Sequence, residues 1–214
     1  MGVDYNIIKS GSRGNAVIIN NEIMIDCGVP FKDLKGYYKS LKLILLTHAH
    51  SDHFIKATVN RLSRERPLLR FGCCEWLAEH LVYCGVEKKN IDVYNFDNYF
   101  NYSLFKVKAI PLKHNIPNCG YKIHYPENKI IYATDTNTMS GIKAKDYNLY
   151  LVEANYCEKQ IAERIKSNEE SGRFSYEYEV IKNHLSVQKC DAWLAENINL
   201  SSEVIYLHQH KEKE

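Results

Sequence analysis

Apolar residues come along this chain in short runs that end on polar, chemically versatile groups. Leu43-Ile44-Leu45-Leu46 lacks polar alternation and stops at Thr47-His48-Ala49-His50-Ser51-Asp52-His53, which reads as a strand covered on both faces and opening into a polar loop. The pattern recurs. Lys129–Ala133 runs into Thr134-Asp135-Thr136, Tyr147–Val152 into Glu153-Ala154-Asn155, and Glu203–Leu207 into His208. Residues 3–9 and 16–25 predict strands around the glycine-punctuated Ser10-Gly11-Ser12-Arg13-Gly14-Asn15, with a hairpin turn at Asn20-Asn21. Further strands are expected over 91–96, 104–112 and Cys119–His124.

Helical spacing is sparser. Residues 55–69 place Val59 and Leu62 on one face and carry Arg61, Arg64 and Arg66, followed by Arg70, predicting a short amphipathic helix closed by Pro67. Those arginines face either solvent or a phosphate. Cys74–Cys84 puts Leu77, Leu81 and Cys84 on one stripe before Gly85, a helix with a glycine stop. Ser186 is placed to cap a helix whose apolar positions are Val187, Cys190, Trp193, Leu194 and Ile198. Glu158–Arg173 is strongly polar and loses periodicity after Ile165, so Ser167–Gly172 is expected as a loop within a mobile segment.

At 214 residues the chain is most simply a single domain over 1–214, able to bury a core without disulfides. The 28 basic and 26 acidic residues leave a net charge of +2, which gives no global footprint for nucleic acid. Cys27, Cys73, Cys74, Cys84, Cys119, Cys157 and Cys190 are odd in number and form no CxxC pair, so reduced thiols in a cytoplasmic protein are expected. No window approaches the roughly 20 apolar residues of a membrane helix, and no signal core is visible. Membrane partners are not expected.

The densest chemistry is Thr47–His53. His48 and His50 at i, i+2 can aim at one cation while Asp52 and His53 serve a second nearby. Nitrogen and oxygen donors without thiolate suit Zn²⁺, Mn²⁺ or Fe.

This run resembles the HxHxDH signature of the metallo-β-lactamase superfamily. Ser10–Ala16 resembles the opening of a bacterial and phage branch that includes small exonuclease-like proteins and cyclic-nucleotide phosphodiesterases. The resemblance runs from about Ser10 to His208, and it implies an α/β fold: an αββα sandwich of two mixed sheets flanked by helices. It departs at Phe54-Ile55-Lys56, where many members carry glycines. Ser12 and Asn15 have either a substrate role or only a turn-forming one.

By the same resemblance, His48, His50 and His114 bind one metal and Asp52, His53 and His208 the other, with Asp135 bridging. An anionic bridge offsets the repulsion of two dications about 3.5–4 Å apart. Zinc is the first choice of metal and manganese the second. His210 competes with His208 for the final place. Glu153 and Asn155 either orient a ligand histidine or are ordinary strand-end polar groups. Asn183-His184-Leu185-Ser186 is similar to the His-Leu-Ser motif of this branch and of tRNase Z, which implies a catalytic His184 outside the ligand set, donating a proton to a departing alkoxide. Asp52 joins it as a catalytic group. His124, alternating with Tyr121 and Ile123, reads as an ordinary strand residue.

The resemblance therefore implies a dinuclear phosphodiesterase acting on nucleotides, cyclic nucleotides first, as in phage immune evasion. A single-strand DNA or RNA exonuclease using Tyr37, Tyr38 or Tyr176 for stacking is the alternative. A metal-stabilised binding protein without turnover is a third, and a homodimer is a compatible assembly.

Overall fold

The structure, a computed structural model, describes residues 2–209. It divides into two compact units, 1–109 and 110–214, described in turn.

The first unit is built on a mixed six-stranded sheet in sequential order: β1 (Tyr5–Lys9), β2 (Ala16–Ile19), β3 (Ile23–Ile25), β4 (Leu43–Leu46), β5 (Arg70–Cys74) and β6 (Ile91–Tyr94). The β1–β2–β3 meander is antiparallel, and β3 to β6 run parallel. Asn20 and Asn21 take φ of 49° and 56°, the left-handed pair that a tight β2–β3 turn needs. Every residue of β2, β3 and β4 is buried, so these strands are covered on both faces. Helix α1 (Lys56–Glu65) contributes Thr58, Val59 and Leu62 to the core, and α2 (Glu75–Tyr83) contributes Leu77 and Leu81. Strand β5 is missing from the sequence reading. Its Phe71-Gly72-Cys73-Cys74 has few β-formers and is stabilised by burial between β4 and β6. Gly72 is demanded by space, since an added Cβ would lie 2.3 Å from the Tyr94 hydroxyl.

The second sheet has the order β12–β11–β10–β9–β8–β7, from β7 (Phe100–Asn101), β8 (Lys106–Leu112), β9 (Asn118–His124), β10 (Lys129–Ala133), β11 (Leu149–Glu153) and β12 (Glu203–Leu207). It too is mixed: β10–β11–β12 are parallel, and β9–β10 and β7–β8 antiparallel. The unit boundary falls inside β8. In the second unit, Ile131, Ala133, Tyr150, Val152, Leu185, Trp193 and Leu194 form the core against α5 (Val187–Asn197). Ser186 caps α5, its Oγ accepting from Lys189 N at 3.1 Å, as expected.

Glu158–Glu170 is helix α3, so of the expected Ser167–Gly172 loop residues 167–170 are helical and only Ser171 and Gly172 form a turn. Only Ile161 is buried there, so a hydrophobic repeat could not reveal it; good helix formers and Glu158 in the first turn suffice. A short α4 (Glu177–Asn183) follows and ends at His184. Among the described residues, no helix is long and apolar enough to cross a membrane.

Candidate metal centre

Several polar groups sit one or two residues past the carboxyl end of a strand. Asp26 follows β3, Thr47 and His48 follow β4, Asp135 lies two residues past β10, and His208 follows β12. Asp26, Asp135 and His208 take φ of 62°, 57° and 53°. This left-handed geometry is uncommon for residues with a Cβ, and when held in place it tends to mark functional sites.

In the first unit His48 and His50 converge, with His48 Nε2 3.1 Å from His50 Nδ1. Asp52 Oδ2 lies 3.6 Å from His53 Nε2. The opposite ring nitrogens explain why these atoms face a common space. Asp26 Oδ2 is 2.7 Å from His53 Nδ1, and a carboxylate can only accept, so Nδ1 carries the proton and Nε2 keeps its lone pair. Asp26 Oδ1 accepts from Thr47 N at 3.0 Å and Thr47 Oγ1 at 2.8 Å. The Thr47 hydroxyl, its proton so used, accepts from His48 Nδ1 at 3.0 Å, which leaves His48 Nε2 as a donor to a cation. One buried carboxylate thus sets both tautomers.

Asp26 is the functional residue that the sequence pattern does not single out, standing just past the second predicted strand pair. The available signal was its place after the apolar Ile23-Met24-Ile25, the same pattern that marked Asp135.

In the second unit, Asp135, Glu153, His184 and His208 offer ligand atoms within 4.8 Å of one another. Asp135 Oδ1 lies 3.8 Å from His114 Nε2, 3.6 Å from His208 Nε2 and 3.8 Å from His184 Nδ1. Glu153, with no exposure, is the orienting group. Its Oε1 accepts from His184 Nδ1 at 2.7 Å and His208 Nδ1 at 3.1 Å, and its Oε2 from Thr136 N at 2.9 Å and Leu185 N at 3.4 Å. Four donors make its burial tolerable. His114 Nδ1 donates to Asn183 O at 3.2 Å, so its Nε2 also keeps a lone pair. Asn155 Nδ2 donates to His208 O at 2.7 Å, fixing the turn that presents that ring.

Three of the four arginines after the metal loop are otherwise engaged. Arg61 pairs with Glu65 at 2.7 Å and lies over the Phe31 ring, Arg66 donates to the carbonyls of Tyr38, Lys39 and Leu41, and Arg70 pairs with Asp92. Arg64 stays exposed. Tyr37 and Tyr38 pack against the core, whereas Tyr176 is exposed. His124 bonds Tyr147 Oη at 2.6 Å, in keeping with a structural strand position. His210 lies outside the described residues.

The donor chemistry fits divalent cations in both units. Imidazole nitrogens with their protons held at the far side, carboxylates beside them and no thiolate suit zinc or manganese.

Comparison with known proteins agrees with the architecture. The family described as "Beta-lactamase superfamily domain" matches residues 21–191. Among solved structures, the metallo-β-lactamase fold protein YhfI from Bacillus subtilis is similar at 14% identity and a TM-score of 0.73, over 98% of this chain and 87% of that one. Human tRNase Z, short form, is similar at 16% identity and a TM-score of 0.70, over 96% and 92%. A diphosphatase of the PhnP family is similar at 13% identity and a TM-score of 0.65, over 98% and 87%. A comparison with curated proteins found no sequence match. With two mixed sheets, flanking helices and a family match over most of its length, the chain belongs to the β-lactamase superfamily and has the metallo-β-lactamase fold.

Proposed function

We propose that the chain is a dinuclear-metal phosphodiesterase acting on nucleotides, with residues 1–214 working as a single metallo-β-lactamase-like domain. Cyclic nucleotides are the first substrate class and single-stranded DNA or RNA the second. In this reading His48, His50 and His114 would hold one cation and Asp52, His53 and His208 the other, with Asp135 as a ligand to both. Bound zinc or manganese would supply Lewis acidity toward the phosphoryl oxygens and a water of lowered pKa.

The observation that carries the reading is the contact between His184 Nδ1 and Glu153 Oε1 at 2.7 Å, beside Asp135. A purely structural metal site has no use for a further oriented imidazole. In catalysis the Nδ1 proton stays on the Glu153 side, and protonated His184 passes its Nε2 proton to the departing alkoxide oxygen as the P–O bond breaks. Asp52 orients the attacking water. Support for phosphorus chemistry comes from two of the similar structures, named as a tRNase and a diphosphatase. The seven cysteines, all unbridged, support a reducing cytoplasmic setting.

The test compares leaving groups. His184→Ala lowers turnover of a nucleotide phosphodiester, whose leaving group is a sugar alkoxide, by about 10²- to 10⁴-fold with metal content unchanged. Bis(p-nitrophenyl) phosphate, whose phenolate leaves without a proton, loses far less. Loss of metal from the variant would make His184 a ligand and defeat the assignment. A metal-loaded protein inert toward cyclic mononucleotides, cyclic dinucleotides and 5′-labelled single strands would favour the non-catalytic alternative.

A further inference from the structure

In the first unit the Ser10–Asn15 loop meets the metal-ligand loop at one side chain. Asn15 is 1% exposed. Its backbone N donates to Asp52 O at 2.7 Å and its backbone O accepts from Gly28 N at 2.9 Å. Its Oδ1 accepts from Gly11 N at 2.8 Å, which fixes the orientation of the amide and turns Nδ2 toward His53. There Nδ2 lies 2.8 Å from His53 Nε2. The same atom is 3.1 Å from Gly11 O, 3.2 Å from Asp52 O and 3.5 Å from Asp52 Oδ2.

Because the Asp26 carboxylate holds the proton on His53 Nδ1, the nitrogen that Asn15 addresses carries the single lone pair of the ring. A cation held by His53 needs that lone pair. We propose that Asn15 is a positioning residue that sets the cation affinity of the Asp52–His53 pair by competing for His53 Nε2. Its N–H holds the imidazole in the ligating orientation and yields when a cation arrives, moving toward Asp52 Oδ2. Distances decide the sign of the effect. The bond to His53 is of full strength at 2.8 Å, whereas 3.5 Å to Asp52 Oδ2 lies beyond the usual N–H···O range of about 2.7–3.2 Å. Removing the side chain therefore relieves more competition at His53 than it loses in support of the Asp52 carboxylate, and the 3.2 Å side-chain bond to Asp52 O is backed by the shorter 2.7 Å bond from Asn15 N to the same oxygen. The backbone bonds to Asp52 and Gly28 survive the change, so the loop stays anchored. The inference rests on the reading of His53 as a metal ligand, and its test does not use turnover.

Zinc is titrated calorimetrically into chelator-treated wild type and Asn15→Ala. The variant is expected to bind Zn²⁺ about fivefold more tightly in one binding step, the equivalent of one net hydrogen bond, and to unfold at a lower temperature without metal. A merely structural role would weaken binding or leave it unchanged, and either result overturns the proposal. A second measurement needs no variant. In ¹⁵N-labelled wild type, a scalar coupling across the N–H···N bond between Asn15 Nδ2 and His53 Nε2 is expected before zinc and lost at saturation. Its absence beforehand or persistence afterwards overturns the proposal. If wild type takes up no zinc, the metal-hydrolase reading falls together with this one; if zinc binds and Asn15→Ala binds no tighter, only the role of Asn15 falls.

Discussion

His53 Nδ1 lies 2.7 Å from Asp26 Oδ2 with neither side chain exposed, so a carboxylate far back in the sequence decides which nitrogen of a metal-loop histidine is available to a cation. Asp26→Ala strands the His53 Nδ1 proton and the Thr47 N–H without an acceptor. The expected loss is about 2–4 kcal/mol of stability in urea unfolding and about 10- to 100-fold in zinc affinity by calorimetry. Unchanged zinc affinity would remove Asp26 from the site.

Glu153 cannot be replaced by its amide without conflict. Its four partners are all donors, two imidazoles on Oε1 and two backbone N–H groups on Oε2. A glutamine must point its NH₂ at one pair, either opposing the backbone or forcing the imidazoles into the tautomer whose Nε2 carries the proton. Glu153→Gln is therefore expected to lower zinc affinity by about tenfold or more and the unfolding free energy by about 1–3 kcal/mol. Histidine side-chain ¹⁵N shifts of His184 and His208 report the tautomers directly, and shifts identical to wild type would contradict the argument.

The metal loop is also held by a close backbone approach. A Cβ on Gly28 would fall 1.7 Å from Asp52 O and 2.8 Å from Asn15 N, whereas one on Gly36 would meet nothing within 4 Å. Gly28→Ala is expected to cost about 3 kcal/mol and to weaken zinc binding, with Gly36→Ala within about 0.5 kcal/mol of wild type. Comparable melting temperatures for the two variants would show that the loop yields more readily than its contacts imply.

The cysteines should separate by reactivity. Cys157 is partly exposed at the start of α3, and the backbone N–H of Gln160, then the Gln188 amide and the Lys159 N–H, hold its thiol below the ordinary value. Burial pushes Cys73 and Cys190 up to about 12. A lowered thiol pKa means more thiolate at a given pH, so alkylation of Cys157 by iodoacetamide should rise with a midpoint below the roughly 8.5 of free cysteine. Cys73 and Cys190 stay protonated and unreactive through pH 9 in the folded protein. Mass spectrometry of the labelled peptides checks the order, and preferential labelling of Cys73 or Cys190 would contradict it.

Strand ends were the most legible part of the chain. Leu43–Leu46 and Ile130–Ala133 are continuous apolar runs because those strands are covered on both faces, Glu203–Leu207 is an edge strand buried only at Leu207, and the group that ends each run stands at the carboxyl edge of the sheet. Thr47–His53 was visible for the same reason, compressed into one loop. Strand β5 and helix α3 were not visible. One is held by neighbouring strands and not by its own composition, and the other buries too little to leave a periodic trace.

By itself the sequence determined where the donors lie, which elements carry them and that the chain has a superfamily-type ligand pattern, since these depend on local order along the chain. Only the tertiary structure decided what makes the donors usable. Asp26 reaching His53, Glu153 reaching both His184 and His208, and Asn15 reaching His53 join positions 27, 31, 55 and 38 residues apart, and hydrogen bonds over such separations leave no periodicity to read. The physical reason is that an imidazole offers one lone pair, and which of its nitrogens carries it is set by whatever acceptor the folded chain brings to the other side.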